Sequence, residues 1–160
     1  LPILCKFINL DYKRIDKINL HTPEISKKTS AIAKINKVRK ILKSFQIKFA
    51  SKFKNCCIEG RDISTKILPN SDVKFFFKCN LNIAALRRYK ELKKKDNKIK
   101  FVEVKKALRI RNNHDLKRRF SPLLKHRDAI EIDTGKLNKQ AMLVKMSNYV
   151  DKVIKKKYGN

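Results

Sequence analysis

Three charged residues in the stretch RNNHDLKRR are spaced so that one face of a helix could present them together. Arg111, Asp115 and Arg118 are separated by four and three residues, and side chains at these separations are neighbours on a helix. They could form surface salt bridges, each worth about 0.3 to 0.5 kcal/mol. However, the chain places arginine at both ends although lysine is far more abundant, and a planar guanidinium can bind phosphate or sugar through paired hydrogen bonds. The spacing therefore favours recognition of a phosphate or a sugar.

A second group of charges follows a short apolar run at residues 56–58. Arg61 and Asp62 come directly after this run and after Gly60, the first glycine in the sequence. A tight turn with a charged rim is the simpler interpretation of this tripeptide. In an open parallel sheet, however, ligands bind beyond the carboxyl ends of the strands. If residues 56–58 form such a strand, Gly60 permits a close turn, and Arg61 and Asp62 face a ligand.

The order of apolar runs and helical patterns around these charges predicts an α/β fold. Strands buried on both faces have continuous apolar runs, and Phe75-Phe76-Phe77 has this character. Alternation of strand and helix favours a parallel sheet flanked by helices in three layers. We expect strands at 56–58, 73–79 and 129–132, and helices at 82–95, 101–119 and 138–157. Asp133 and Thr134 then also lie at the ligand edge of the sheet.

A longer helical region is predicted before this sheet. Thr22, Pro23 and Glu24 supply the hydroxyl, proline and acid that favour a helix start. Apolar residues then recur at spacings of three and four, which predicts one face packed on a core. These residues are Ile32, Ile35, Val38, Leu42, Phe45 and Phe49. The first 20 residues alternate weakly and are predicted as a short strand or hairpin.

Composition limits the class of protein. A chain of 160 residues with 42% apolar content is expected to form one domain around one core. Its net charge of +28 would suit nucleic acid, but only ten of the 42 basic residues are arginine, and lysine is spread from Lys6 to Lys157. This distribution is typical of a solvated surface, so nucleic acid is not the partner that we favour. The apolar start LPILCKFINL is too short to span a bilayer, and no membrane partner is expected.

The four cysteines do not have the spacing of a metal or redox motif. Cys5, Cys56, Cys57 and Cys79 include no Cys-x-x-Cys pair, and no histidine cluster lies at zinc-ligand spacing. We interpret them as buried thiols of a cytoplasmic protein that itself binds no metal.

Five segments occur in an order that resembles bacterial cytidylate kinases, which belong to the nucleoside monophosphate kinases. The segments are EGRD, SDVKFFF, ALRRYKEL, RNNHDLKRRFSPL and DAIEIDT, and Leu68-Pro69 is a further match. The resemblance extends from about residue 20 to the final helix. It implies a P-loop kinase fold, a monomer, and phosphoryl transfer from ATP with Mg2+ to CMP or dCMP, a reaction that depends mainly on positioning and charge neutralisation.

The resemblance assigns roles to four charged residues, Arg61, Arg111, Asp115 and Arg118. Arg61 and Arg118 resemble the residues that hold the nucleotide phosphate, and Arg111 with Asp115 resembles the pair at the sugar. Arg111 and Arg118 would be the catalytic residues. They would lie on a lid at about 109–121 that closes over the site.

Three residues, Ser30, Arg39 and Asp62, resemble the set that reads cytosine in this family. An acid and a hydroxyl can accept from the exocyclic amine, while arginine donates to the ring. On one straight helix, nine residues at roughly 100° each would place Ser30 and Arg39 about 180° apart, too far to meet one base. The family breaks the helix there, usually at a proline, whereas this chain has Asn36. The resemblance therefore predicts a kink or short turn near Ile35 and Asn36.

One part of the family's pattern is missing. A loop of the form G-x-x-x-x-G-K-[ST] cradles phosphate with backbone amides, but the only glycines are Gly60, Gly135 and Gly159. With Leu1 as its first residue, the chain is therefore expected to be a truncated kinase that cannot turn over ATP alone. The predicted divisions are 1–160 for the partial kinase domain, 1–54 for its helical nucleotide-binding part and 55–160 for its sheet core.

Two other functions stay open. The first is a basic nucleic-acid-binding protein that keeps the kinase fold only as ancestry, which predicts binding that weakens steeply with salt. The second is a nucleoside monophosphate kinase with another base preference.

Overall fold

The computed structural model of the protein describes residues 22–33, 35–53 and 55–159. The chain divides into two compact units, Leu1–Ile58 and Glu59–Asn160. The strand or hairpin expected within the first 20 residues lies outside the described residues, as does Cys5.

The first unit contains two helices, α1 at Pro23–Ile32 and α2 at Asn36–Lys52. Thr22 caps α1 because its hydroxyl oxygen accepts a hydrogen bond from Ile25 N at 3.1 Å. Glu24 stands in the first turn of α1, where a negative charge interacts favourably with the helix dipole. The helix start predicted from this tripeptide is confirmed.

The two helices are separated by a short break. Ile35 adopts extended dihedral angles, with φ at −80° and ψ at 110°, so the helical path is interrupted directly before Asn36. The Arg39 guanidinium reaches back across the break and donates to Ala33 O at 3.1 Å. The predicted interruption near Ile35 and Asn36 is therefore confirmed.

The apolar stripe predicted along this region is only partly buried. Val38 is buried, whereas Ile32, Ile35 and Leu42 are about half exposed, at 48%, 51% and 45%. A continuous face was predicted from the sequence, but the break divides the stripe between two separate helices. The stripe prediction was therefore wrong for three of its six members, whereas Phe45 and Phe49 are partly buried.

The second unit begins with an irregular segment that leads into one turn of π-helix at Ile63–Ile67. Its further elements are strand β1 at Phe75–Lys78, helix α3 at Leu81–Lys93, helix α4 at Phe101–Lys117, strand β2 at Ile130–Asp133 and helix α5 at Lys139–Tyr158. Asparagine side chains cap two of these helices: Asn80 Oδ1 accepts from Asn82 N at 2.8 Å, and Asn138 Oδ1 accepts from Ala141 N at 2.8 Å.

β1 and β2 pair in parallel, with Phe75 opposite Ile130 and Lys78 opposite Asp133. Parallel strands joined through α3 and α4 confirm the predicted α/β class. The third predicted strand, at residues 56–58, was wrong: this run is not in a strand, and the described sheet has two strands. Three apolar residues are shorter than the runs from which a buried strand can be inferred.

The core of the second unit lies around β2 and the first helix after β1. Ile132 on β2 and Ala85 on α3 are completely buried, and Leu92 on α3 and Val104 on α4 are also buried, in two helices that pack against each other. By contrast Phe77 on β1 is 50% exposed, so that among the described residues this strand is not covered on both faces.

Two further expectations can be compared with the structure. Cys56 and Cys57 are exposed and Cys79 is partly buried, so the interpretation of the cysteines as buried thiols was wrong for the first two. None of the described helices combines the length and the apolar character that crossing a bilayer requires.

Candidate functional site

Four of the charged residues singled out in the sequence form one cluster in the second unit. Asp115 Oδ2 lies 3.3 Å from Arg61 Nε, and Asp115 Oδ1 lies 3.3 Å from Arg118 Nη1. Arg118 Nη2 in turn lies 3.6 Å from Asp62 Oδ1. Each carboxylate therefore faces at least one guanidinium, and Asp115 bridges two of them.

Arg61 and Asp62 are positioned by the irregular segment before the π-helix. Asp62 O accepts from Lys66 N at 2.9 Å, which holds the start of this helix to the site. A Cβ added at Gly60 would lie 2.6 Å from Ile63 Cγ1, so the glycine allows the chain to turn closely against that side chain. The chain bends at Arg61 and Asp62, directly after this glycine, although the strand that was expected before it is not formed.

Asp115 and Arg118 are positioned by the end of α4. Asp115 stands in the last turn of this helix, and Arg118 is the first residue beyond it, with extended dihedral angles. The triad was predicted to share one helical face, which is wrong for Arg118. Arg118 nevertheless reaches Asp115, because the chain folds back after the helix: Leu123 N donates to Asp115 O at 2.7 Å.

The cluster combines buried carboxylates with several cations. Asp62 and Asp115 are only 7% and 8% exposed. Burial lowers the pKa of the Arg61 guanidinium, and repulsion from Arg111 and Arg118 lowers it further, whereas Asp115 raises it. Arginine stays protonated in proteins, so these groups remain charged and repel each other. An anion such as a phosphate would offset that repulsion.

A family model for cytidylate kinase matches residues 8–152 of this sequence. The chain belongs to the cytidylate kinase family. A cytidylate kinase of Alkaliphilus oremlandii is 40% identical over 148 residues, which cover 92% of this chain and 67% of the relative. Similar proteins of the same name occur in Clostridium tetani, with 34% identity and 98% and 74% coverage, and in Rickettsia akari, with 33% identity and 92% and 65% coverage.

Membership of the cytidylate kinase family confirms two predictions from the sequence. The fold class is that of the P-loop nucleoside monophosphate kinases, of which the described part contains the two parallel strands and their helices. The family consists of ATP-dependent transferases, which agrees with the predicted class of enzyme.

The remaining cytosine-reading candidates lie in the first unit. Ser30 is in α1 and Arg39 is in α2, on opposite sides of the break. Because the two residues do not belong to one straight helix, the angular argument against a shared base no longer applies. Their role in a cytidylate kinase stays a prediction.

Sequence reasoning missed how the carboxyl edge of the sheet is fastened. Arg87 on α3 donates to Thr134 O at 2.7 Å, and Thr134 N donates to Lys78 O at 2.8 Å. Asp133 Oδ1 accepts from Gly135 N at 2.9 Å. Thr134 and Asp133, which were expected at the ligand edge, thus hold the loop between β2 and α5. The use of arginine in a lysine-rich helix was the available signal for Arg87.

The acids of the cluster do not form a cation site. Among the described residues no three His, Cys, Asp or Glu side chains are grouped so that they could hold a metal ion. Asp62 and Asp115 are each within 3.6 Å of a guanidinium nitrogen, which disfavours a cation beside them.

Proposed function

We propose that this protein transfers a phosphoryl group from ATP to CMP or dCMP, giving CDP or dCDP. The observation that supports the proposal best is the grouping of Arg61 and Arg118 around the buried carboxylates of Asp62 and Asp115, with Arg111 one helical turn before Asp115. Phosphoryl transfer depends mainly on holding the phosphates in place and offsetting their charge. Fixed guanidiniums in a partly buried site can do both.

The three arginines are suited to different parts of the nucleotide. Arg61 and Arg118 are held by Asp115, so their guanidiniums are already oriented for the phosphate of CMP. Arg111 is exposed on α4, one helical turn before Asp115. We assign Arg111 and Asp115 to the sugar and the transferred group, on a lid at 109–121 that closes over the nucleotide.

We assign recognition of cytosine to Ser30, Arg39 and Asp62. An acid and a hydroxyl accept hydrogen bonds from the exocyclic amine, which uracil lacks, and arginine donates to the ring. This chemistry distinguishes cytosine from uracil by leaving polar groups unpaired when the amine is absent.

The donor side of the reaction needs a further component. None of the three glycines lies in a G-x-x-x-x-G-K-[ST] pattern, the loop whose backbone amides cradle the phosphates of ATP. We propose that the 160 residues bind CMP but require a segment of that form for turnover. Mg2+ enters with ATP, as part of this substrate. We further propose a cytoplasmic, monomeric enzyme with a helical nucleotide-binding part at 1–54 and a sheet core at 55–160.

ATP-dependent formation of CDP tests the proposal. The chain extended by an upstream phosphate-loop segment should produce CDP, and the 160-residue chain alone should not. In the extended protein, Arg111→Ala should lower kcat/KM by about 100-fold or more, since it removes a charge that neutralises the transferred group. Arg127→Ala is the matched control, because its side chain is 91% exposed, and it should leave turnover unchanged. Absence of CDP from the extended protein would reject the proposed reaction.

Arg118 requires a milder substitution than Arg111. Its side chain is only 11% exposed and pairs with both buried acids, so alanine would leave those acids uncompensated and would lower stability as well as activity. Arg118→Lys retains the charge while it removes the planar fork.

Thermal shift with CMP, UMP and AMP tests the base preference. At equal concentration, a ligand that binds the folded protein more tightly raises Tm further, so CMP should give the largest shift. A larger shift with UMP or AMP would favour the alternative of another base preference. Asp62→Asn should reduce the advantage of CMP over UMP.

A further inference from the structure

The turn after α4 contains an unusual backbone conformation. Ser121 has φ at +52°, and it is the one non-glycine residue with positive φ among the described residues. This region is disfavoured for residues with a Cβ, and Ser121 also precedes Pro122, which restricts its backbone further. Strained residues of this kind persist where the surrounding contacts hold them, and they concentrate at functional sites.

The carbonyl group of this strained residue contacts the candidate site directly. Ser121 O accepts a hydrogen bond from Arg118 Nε. The turn is fastened on both sides of that contact, because Arg118 N donates to His114 O at 3.1 Å and Leu123 N donates to Asp115 O at 2.7 Å. The position of the Ser121 carbonyl is therefore fixed relative to the end of α4.

This contact completes the orientation of the Arg118 guanidinium. Nε donates to Ser121 O and Nη1 donates to Asp115 Oδ1 at 3.3 Å, while Nη2 lies within ion-pair distance of Asp62 Oδ1, at 3.6 Å. The carboxylates contact only the terminal nitrogens, so without a partner at Nε the group could shift within the site. The carbonyl supplies the third point, and it reaches this place because the backbone of Ser121 is left-handed.

We propose that Ser121 is a positioning residue for Arg118, and that its left-handed backbone conformation sets the phosphate-binding geometry of the guanidinium. This inference rests on the proposed role of Arg118 in holding the phosphate of CMP. It assigns function to the backbone at position 121, so the effect of a substitution depends on how readily the new residue adopts positive φ.

A substitution series at position 121 tests this dependence. The dissociation constant of CMP is measured by calorimetry for wild type and for Ser121→Gly, Ser121→Asn, Ser121→Ala and Ser121→Val. Affinity should follow the ease of positive φ, with glycine and asparagine close to serine, alanine weaker, and valine weakest by about tenfold or more. Circular dichroism identifies any variant that does not fold, and the alanine variant keeps the ranking measurable if valine is lost. Equal affinities across folded variants would overturn the inference.

A double-mutant cycle distinguishes positioning from a general effect on folding. If Ser121 acts through Arg118, then Ser121→Ala should weaken CMP binding in wild type but not in an Arg118→Lys background, which already lacks the fork. An equal loss of CMP affinity in both backgrounds contradicts the inference.

If the wild-type protein binds no CMP, the proposed function fails, and the same double-mutant cycle is then measured by urea unfolding. Additive changes in the free energy of unfolding would refute the contact, and non-additive changes would support it.

Discussion

Asp115 carries the central charge of the site, since its two carboxylate oxygens face Arg61 and Arg118. Asp115→Asn keeps the shape of the side chain and removes the negative charge between two guanidiniums, with Arg111 also close. We expect the free energy of unfolding to fall by about 3 kcal/mol, because breaking a buried ion pair leaves an uncompensated charge. Urea unfolding measures this change.

The matched control for this substitution is Asp128→Asn. Asp128 lies beside His126 and Arg127 on the surface, where its own side chain is 58% exposed. Exposed pairs contribute little, so the control should change the free energy of unfolding by less than about 1 kcal/mol. Similar losses for both variants would show that Asp115 is no more important to the fold than an exposed acid.

At the scale of single residues, the sequence predicted that Arg61, Asp62, Asp115 and Arg118 belong to one site but not how they are held. The choice of arginine in a lysine-rich chain pointed to Arg111 and Arg118, and the position after Gly60 pointed to Arg61 and Asp62. The burial of Asp62 and the positive φ of Ser121 had no local signal, since each is imposed by tertiary contacts around the residue. A serine before a proline gives no indication that its backbone is left-handed.

At the scale of elements, the break between α1 and α2 can be tested with proline. Asn36 is the first residue of α2, a position where the backbone N–H has no partner within the helix, and Ile35 has the extended conformation that a following proline favours. Asn36→Pro should therefore be tolerated and could add about 0.4 to 1 kcal/mol of stability. In a continuous helix the same change would cost about 3 kcal/mol.

Lys43→Pro supplies the comparison for this substitution. Lys43 is exposed within α2, so proline there removes an interior hydrogen bond of the helix and should cost about 3 kcal/mol or more. Far-UV circular dichroism and urea unfolding of both variants measure the difference. Equal destabilisation at positions 36 and 43 would mean that the helix is not interrupted in solution.

An ion pair between the two strands, Lys78 with Glu131, makes a pH-dependent contribution to stability. Lys78 Nζ on β1 lies 2.9 Å from Glu131 Oε1 on β2. The hydrogen bond from Lys78 lowers the pKa of Glu131, with a smaller contribution from Lys125, and the same bond raises the pKa of Lys78. A carboxyl group with a lowered pKa stabilises the fold above its unfolded pKa and loses that contribution as the pH falls through the folded value.

Glu131→Gln should therefore lower the urea midpoint at pH 7, and the difference from wild type should disappear as the pH falls below about 4. At the alkaline end, the contribution of Lys78 is fully present below its unfolded pKa and is lost as the pH rises through its raised value, above about 10.4. In a Lys78→Gln background, Glu131→Gln should have a smaller effect on the urea midpoint at pH 7, and this effect should depend less on pH. A difference that stays constant from pH 3 to pH 7 would rule out this pair as its source.

The elements themselves were predicted unevenly, for physical reasons. Helices α3, α4 and α5 end within two residues of the predicted bounds, because apolar periodicity and the asparagine caps are local signals. Residues 56–58 have the composition of a strand, but strand formation also needs a partner, which no local pattern specifies. The π-helix at Ile63–Ile67 was not predicted, because its hydrogen bond from Leu68 N to Ile63 O is likewise not encoded in a short motif.

At the scale of the whole molecule, the net charge of +28 raises the question of what the lysines do. Lysine accounts for most of the positive charge and is spread along the chain, whereas the arginines of the candidate site lie around buried acids. These two populations of charge should respond differently to salt. Exposed charges are screened over about 8 Å at physiological ionic strength, and buried pairs are screened much less.

Two variants can separate the functions of these charges. If the protein binds single-stranded RNA through its exposed lysines, as the nucleic-acid alternative predicts, replacing four of them on α5 by glutamine, at positions 145, 152, 155 and 156, should weaken that binding and leave CMP affinity unchanged. Arg111→Ala should weaken the binding of CMP and leave the affinity for RNA unchanged. Because RNA affinity falls with a slope of about −0.7 per phosphate contacted in a plot of log K against log salt, an RNA complex that holds six phosphates should weaken by about 300-fold between 50 and 200 mM salt. CMP offers one phosphate, so its affinity should change by less than about tenfold over that range.

Fluorescence anisotropy with labelled RNA and calorimetry with CMP measure the two slopes. If Arg111→Ala weakened RNA binding as much as CMP binding, or if free CMP displaced the RNA, the RNA would be bound at the arginine cluster, and the assignment of that cluster to a mononucleotide would be wrong.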